Sequence, residues 1–223
     1  MTHTTLHVLY EDNHILIVNK PAGTLVQGDI TKDDSLIDAA KRYLKKQYKK
    51  PGNIFVGLPH RLDRPVSGAC ILCKTSKGLE RMSKVFADRT IDKTYHAVVS
   101  HKPEHLQATL THYLKKIEKI NFAKLYHTQA AGTKEAILHY SFLRAMSNNY
   151  LLEVKLQTGR HHQIRAQLAS IGCAVIGDLK YGSKFVYNPQ SIGLHAHSVS
   201  FQHPISKEKI NVVAPYPDEK IWK

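Results

Sequence analysis

In the stretch VGLPHRLDRPVSGACILCKT, Val56 to Thr75, Asp63 is the only acidic residue, set two residues after Arg61 and directly before Arg64. Leu62 precedes it, and the turn-forming Pro65-Val66-Ser67-Gly68 follows, ahead of an apolar run. This pattern predicts a loop at the mouth of a buried strand, a common seat for catalytic groups. An oriented, ionised carboxylate there can act as a nucleophile or a base; the alternative is a structural ion pair that orders the loop. A second constellation, Gly159-Arg-His-His-Gln-Ile-Arg165, predicts a helix beginning near His161. Its first backbone N–H groups and the side chains of Arg160 and Arg165 would converge on phosphate or on a protein carboxylate. The alternative there is a solvated helix start.

Other chemistries find less support. Cys70-Ile-Leu-Cys73 is a lone CxxC with no second ligand pair at zinc spacing, and in a strand the two thiols face opposite sides. Core packing is the expectation, with no metal. His195 and His197 would share one face of a strand, which copper or zinc could use, but such pairs are more often structural or bind RNA. Walker-type loops, GxGxxG and GxSxG are absent.

The elements that must position these residues can be read from periodicity. HVLYEDNHILIVNKPAG predicts two strands around a polar turn at Glu11 to His14. DDSLIDAAKRYLKKQY predicts a helix capped by Asp34 or Ser35, with a basic outer face over Lys41 to Lys50. ACILCKT predicts a buried strand, SKGLERMSKVFADR a helix with Leu79, Met82 and Val85 inward, and KTYHAVVS a strand. Lys102 to Thr133 is basic and without clear periodicity. AILHYSFL and YLLEVKLQ alternate as half-buried strands. HHQIRAQLASIG predicts a helix ended by Gly172, and GLHAHSVSFQHP and EKINVVAP two more strands. The class expected is α+β with a mixed, mostly antiparallel sheet, in one domain over residues 1–223.

The charge bounds the partners. Thirty-two Lys and Arg against 18 Asp and Glu give a net charge of +14, which favours nucleic acid first and acidic membranes second. No segment approaches the roughly 20 apolar residues of a membrane helix, and with no apolar stretch behind a basic start a secretory signal is not expected. Three cysteines are too few for a disulfide framework. A cytoplasmic protein is expected.

Taken together, the segments resemble the RluA-type family of RNA pseudouridine synthases. The resemblance is carried by His60-Arg61-Leu62-Asp63 with Ser67-Gly68, by Lys93-Thr94-Tyr95, and by Thr158-Gly159-Arg160 with His162-Gln163-Ile164-Arg165. Ile171-Gly172 through Gly177-Asp178, Tyr181-Gly182, Leu194-His195-Ala196 before His203-Pro204, and the opening LIVNKPAG add to it. It runs from about Val8 to Pro215. It implies the pseudouridine synthase fold, with an active-site cleft along the sheet. It also implies isomerisation of uridine to pseudouridine within rRNA or tRNA, after the base is flipped from its stack, with no cofactor or metal. Asp63 would be the essential catalytic residue, and Tyr95 the active-site tyrosine that stacks on the base and helps remove the carbon 5 proton. Arg165 would be the basic residue paired with Asp63. His60, Arg61, Arg64, Arg160, His162 and Gln163 would contact substrate or RNA.

Four places depart from the family's usual pattern: Arg64-Pro65, Val66, His161 and Ala166-Gln167. They bear on the substrate subgroup. The expected form is a monomer without the N-terminal accessory RNA-binding domain, so RNA would be gripped by basic surface at Lys41 to Lys50 and Lys115 to Lys124.

Overall fold

The computed structural model describes residues 4–49 and 51–223. Lys50, the last residue of the first basic run, lies outside the described residues. The chain divides into two compact units. The first comprises the residues up to Asp92 and Ala196–Pro217; the second comprises Lys93–His195 and Asp218–Lys223. Among the described residues there are ten strands and three α-helices, an α+β architecture.

In the first unit, strands β1 (His7–Glu11), β2 (Ile15–Lys20) and β3 (Ser67–Cys73) form antiparallel pairs in that order. The turn between β1 and β2 is set by Asp12, whose Oδ1 accepts the N–H groups of His14 and Ile15 at 2.7 Å each. Every residue of β3 is buried, as its continuous apolar reading predicts. Helix α1 (Leu36–Gln47) starts at Ser35, not Asp34: the Ser35 hydroxyl accepts from Asp38 N–H, and the Asp38 carboxylate accepts in return from Ser35 N–H. Leu36, Ala39, Ala40 and Leu44 bury one stripe, leaving Lys41, Lys45 and Lys46 exposed. Helix α2 (Ser76–Ala87) is capped by Thr75 and packs Met82 into a core with Ile15, Ile17, Ala69 and Ile71.

The second unit holds β4 (Ile91–Val99, from Lys93 on), β5 (Gln107–Ile117), β6 (Phe122–Tyr126), β7 (Lys134–Ala145) and β8 (Tyr150–Leu156). They lie in the order β4-β8-β7-β5-β6, each pair antiparallel. The stretch without clear periodicity is thus a hairpin. On one face Tyr113 sits opposite Tyr126 and Lys115 opposite Lys124; on the other Leu114, Ala123 and Ala136 pack against Ala166 and Tyr181. Helix α3 spans Gln163–Ser170. Strand β9 (Leu194–Gln202) carries the chain back into the first unit, where it neighbours β3 and pairs with β10 (Lys209–Val213).

Candidate active site

In the first unit the loop bearing Asp63 is held from several directions. Val66 donates its N–H to the Asp63 carbonyl at 3.0 Å, closing the turn that the Pro-Val-Ser-Gly run predicts. The carbonyl of Arg64 accepts from Gly23 N–H at 2.9 Å and from Lys20 Nζ at 3.1 Å. Lys20, last residue of β2, is fully buried, and its other two bonds go to the carbonyls of Pro21 (3.0 Å) and Thr24 (2.8 Å). Three ammonium hydrogens thus meet three carbonyls. Burial pushes the Lys20 ammonium down to about 8, with the Arg64 charge adding to the fall and the Asp63 charge pulling the other way. Asp63 itself is half-buried.

Its neighbours divide their tasks. Ile71 donates its N–H to His60 Nε2 at 2.9 Å, and the His60 ring stacks on Phe86 at 4.6 Å, so this histidine braces the loop against β3 and α2. Arg64 turns back to Gly23 O and to Asp33, while Arg61 is exposed. Gly68 has φ +113°, and a β-carbon there would collide with the backbone of Ala196 on β9. Only glycine permits that approach.

In the second unit Tyr95 lies on β4 opposite Val154 and is half-buried. Thr158 and Gln163 lock the entry to α3. The Thr158 hydroxyl donates to Gln163 Oε1 at 2.8 Å, the same oxygen accepts Arg160 N–H at 2.9 Å, and Gln163 Nε2 donates to Ile137 O at 3.1 Å. The helix begins two residues later than the sequence suggests. His162 is its N-cap, with left-handed φ of 50° and no side-chain cap bond, and the Gln163 amide organises the turn instead. The two arginines expected to converge there serve different acceptors. Arg160 Nε donates to the Glu135 carbonyl at 2.8 Å, whereas Arg165 makes a two-pronged bond to Asp178.

Asp178, Tyr181 and Lys20 belong to these constellations although sequence reading gave them no role at a site. The fixed order Gly177-Asp178 and Tyr181-Gly182 was the available signal. Tyr181 lies under the Arg165 guanidinium, 5.1 Å from ring centre to Cζ, and bonds His162 Nδ1 through its hydroxyl at 2.9 Å. Burial, then the charges of Arg165, His161, Lys180 and Lys116, push the His162 imidazole down to about 2, so it is neutral. The Cys70 and Cys73 thiols are pushed up to about 12 by burial, which suits core packing and not ligation. His195 meets Trp222 edge-on and His197 stacks on Tyr216.

Residues 14–170 match a family described as RNA pseudouridylate synthase. The chain is 31% identical over 227 residues to ribosomal large subunit pseudouridine synthase D of Zymomonas mobilis, covering 96% of this chain and 70% of that one. It is 34% identical over 217 residues to ribosomal large subunit pseudouridine synthase C of Rickettsia felis, covering 96% and 68%. Among solved structures, human RNA pseudouridylate synthase domain containing 4 superposes with a TM-score of 0.79 at 21% identity, over 95% of this chain and 89% of that one. Human RNA pseudouridylate synthase domain containing 1 gives 0.75 at 23%, over 97% and 87%. No helix among the described residues is long and apolar enough to cross a membrane.

Proposed function

This chain belongs to the RNA pseudouridylate synthase family, whose reaction isomerises uridine in RNA to pseudouridine, and we propose on that premise that its substrate is large-subunit ribosomal RNA and that Asp63 is its catalytic residue. The observation carrying the assignment is the construction around Asp63: a half-buried carboxylate on a turn fastened by the Lys20 clamp and by the Gly23–Arg64 bonds. Such fixation is what a reacting group needs and an incidental surface acid does not.

The reaction breaks the bond from ribose carbon 1′ to uracil nitrogen 1, turns the base and joins carbon 5 to carbon 1′; carbon 5 then loses its proton and nitrogen 1 takes one up, so no atom is gained or lost. Flipping the base costs a few kcal/mol. Tyr95 repays part of it by stacking on the uracil, and its hydroxyl assists loss of the carbon 5 proton. Arg165 is held by its two-pronged bond to Asp178, and the family resemblance gives it the role of the basic partner of the catalytic carboxylate. By the same resemblance Arg61, Arg64, Arg160 and His162 contact substrate or RNA, while Gln163 shapes the turn before α3 and His60 braces the loop that carries Asp63. Both units act as one catalytic domain over residues 1–223, as a cytoplasmic monomer.

RNA is held by basic surface. The exposed Lys41, Lys45 and Lys46 on α1 are one part of it; the other is the hairpin face where Lys115 and Lys124 stand opposite each other beside Tyr113 and Tyr126. Lys115 Nζ donates to Ala131 O and Lys124 Nζ lies over the Tyr126 ring, and both lysines remain exposed cations suited to a polyanionic partner. The ribosomal substrate follows the relatives' names. It is tested by incubating the protein with transcribed large-subunit rRNA and, separately, with transfer RNA, then mapping pseudouridine by chemical labelling. Modification of rRNA is expected. Modification of transfer RNA alone refutes the substrate, and RNA binding without product refutes catalysis in favour of a binding protein.

A further inference from the structure

From Leu179 to Gly193 the second unit carries no acidic residue. Leu179, Lys180, Lys184, Phe185 and Val186 of this loop all face solvent, Phe185 at 55% exposure and Val186 at 62%. Single exposed apolar residues are ordinary, but three in eight residues beside two lysines mark an interaction surface. The Phe185 ring is outside although its backbone is fastened. Its N–H donates to Ser183 Oγ at 3.3 Å, and its carbonyl accepts from the same hydroxyl at 3.2 Å. Ser183 is itself buried: Oγ accepts Gly177 N–H at 3.1 Å, and its own N–H donates to Asp178 O at 3.1 Å. Beyond the ring, Asn188 Nδ2 donates to Glu219 Oε1 at 3.3 Å. At the other end Lys180 Nζ donates to the carbonyls of Ile120 (3.2 Å) and Asn121 (3.1 Å), at the tip of the hairpin of β5 and β6. The loop therefore continues the hairpin that carries Lys115 and Lys124, by way of the exposed Lys119 and Ile120.

We propose that the loop from Leu179 to Val186 is a platform for an unpaired RNA base other than the target uracil: the Phe185 ring stacks on the base, Val186 borders it, and Lys184 holds the adjoining phosphate. This rests on the reading of the chain as an enzyme acting on RNA. A nucleotide matches the surface in both its parts. Its base offers a flat apolar face to the ring, and its phosphate offers an anion to a loop that has cations and no acid. In a duplex both faces of a base are covered by its neighbours, so the ring selects single-stranded RNA, and it does so whatever the sequence, since every base has such a face. A second copy of this chain is a poorer occupant, because a protein of net charge +14 brings like charge to the lysines. The buried Ser183 holds the ring in place before RNA arrives, so little ordering is left for binding to cost.

The test measures binding of the full chain to a fluorescein-labelled single-stranded oligouridylate and to a paired RNA duplex of equal length, by anisotropy. Both substituted positions are exposed, so the variants should fold as the native chain does. Phe185→Ala should weaken the single strand about tenfold, the weight of one stacked base, and leave the duplex within about twofold. Phe185→Trp keeps a stacking ring and should hold native affinity. The native chain has one tryptophan, Trp222, so oligouridylate should quench the emission that Phe185→Trp adds. Lys184→Gln should weaken both RNAs and reduce the salt slope by about one. Equal single-strand affinity of the native protein and Phe185→Ala overturns the proposal, as does an equal loss on single strand and duplex, or an added tryptophan that RNA does not quench. A native dimer that Phe185→Ala turns into a monomer, with RNA affinity unchanged, gives the loop to a second copy and also overturns it. Absence of pseudouridine from the native chain is a separate failure, that of the functional reading, and the oligonucleotide series still decides the platform.

Discussion

Arg165 and Asp178 form a buried two-pronged ion pair, Nε to Oδ2 at 2.6 Å and Nη2 to Oδ1 at 2.8 Å, with 6% and 1% of the side chains exposed. Removing one partner of such a pair strands a charge in the interior. Asp178→Ala should therefore cost about 3–5 kcal/mol of stability, read by urea unfolding, and should lower activity although Asp178 is not proposed to touch substrate. Arg165→Lys cannot reproduce the planar fork and should fall well below native activity. An Asp178→Ala protein of native stability and activity would remove the orienting role of this pair.

Gly68 occupies a backbone conformation closed to other residues and lies where a β-carbon would strike Ala196. Gly68→Ala should destabilise the protein by several kcal/mol or leave it insoluble. Gly172 is also at positive φ (+73°) but has nothing within 4 Å of its β-carbon position, so Gly172→Ala should cost only about 1–2 kcal/mol. Thermal melts of the two side by side give the ranking, and equal losses would contradict it.

Lys20 yields a pH dependence with a definite sign. Its ammonium is pushed down to about 8 in the fold from 10.5. Below pH 8 both folded and unfolded chains hold the proton and this group adds no slope. Between about 8 and 10.5 the unfolded chain holds it more tightly, so stability rises with pH by at most about 3 kcal/mol. Lys20→Met should abolish that rise. At neutral pH it should also leave three carbonyls without their donor, at about 2–4 kcal/mol. Urea unfolding of both proteins at pH 7, 8 and 10 checks the sign; a native curve that falls more steeply than the variant's over this range would reverse it.

The hairpin predicts opposite effects on stability and binding. Lys124→Glu places an acid opposite Lys115 while giving up the ammonium over the Tyr126 ring, so the fold should gain at most about 0.2–1 kcal/mol. The same change should weaken RNA binding roughly tenfold at low salt and reduce the steepness of its salt dependence. Unchanged RNA affinity and salt slope would place the RNA elsewhere.

The sequence made some of this legible, and chemistry explains which parts. The strand at Tyr150 to Leu156 and the helix after Ser35 were plain because one face of each is buried and the period survives. The hairpin of β5 and β6 was not, since its outward face carries Tyr113, Lys115, Lys124 and Tyr126 where a soluble sheet would carry simpler polar residues. The late start of α3 was hidden because His162 takes a left-handed conformation and the turn is organised by the Gln163 amide, a tertiary arrangement anchored on Ile137 of β7. The Asp178 partner of Arg165 lies 13 residues away across a turn, at a spacing no helical or strand period marks.

The central claim is tested most directly at residue 63. Native protein and Asp63→Asn should bind transcribed rRNA equally, because the substitution removes a charge and keeps the shape. Only the native protein should convert uridine to pseudouridine, with no product from the variant above background by chemical mapping. Pseudouridine formed by Asp63→Asn at a rate near native would mean that the carboxylate is not the reacting group, and the account would fail there.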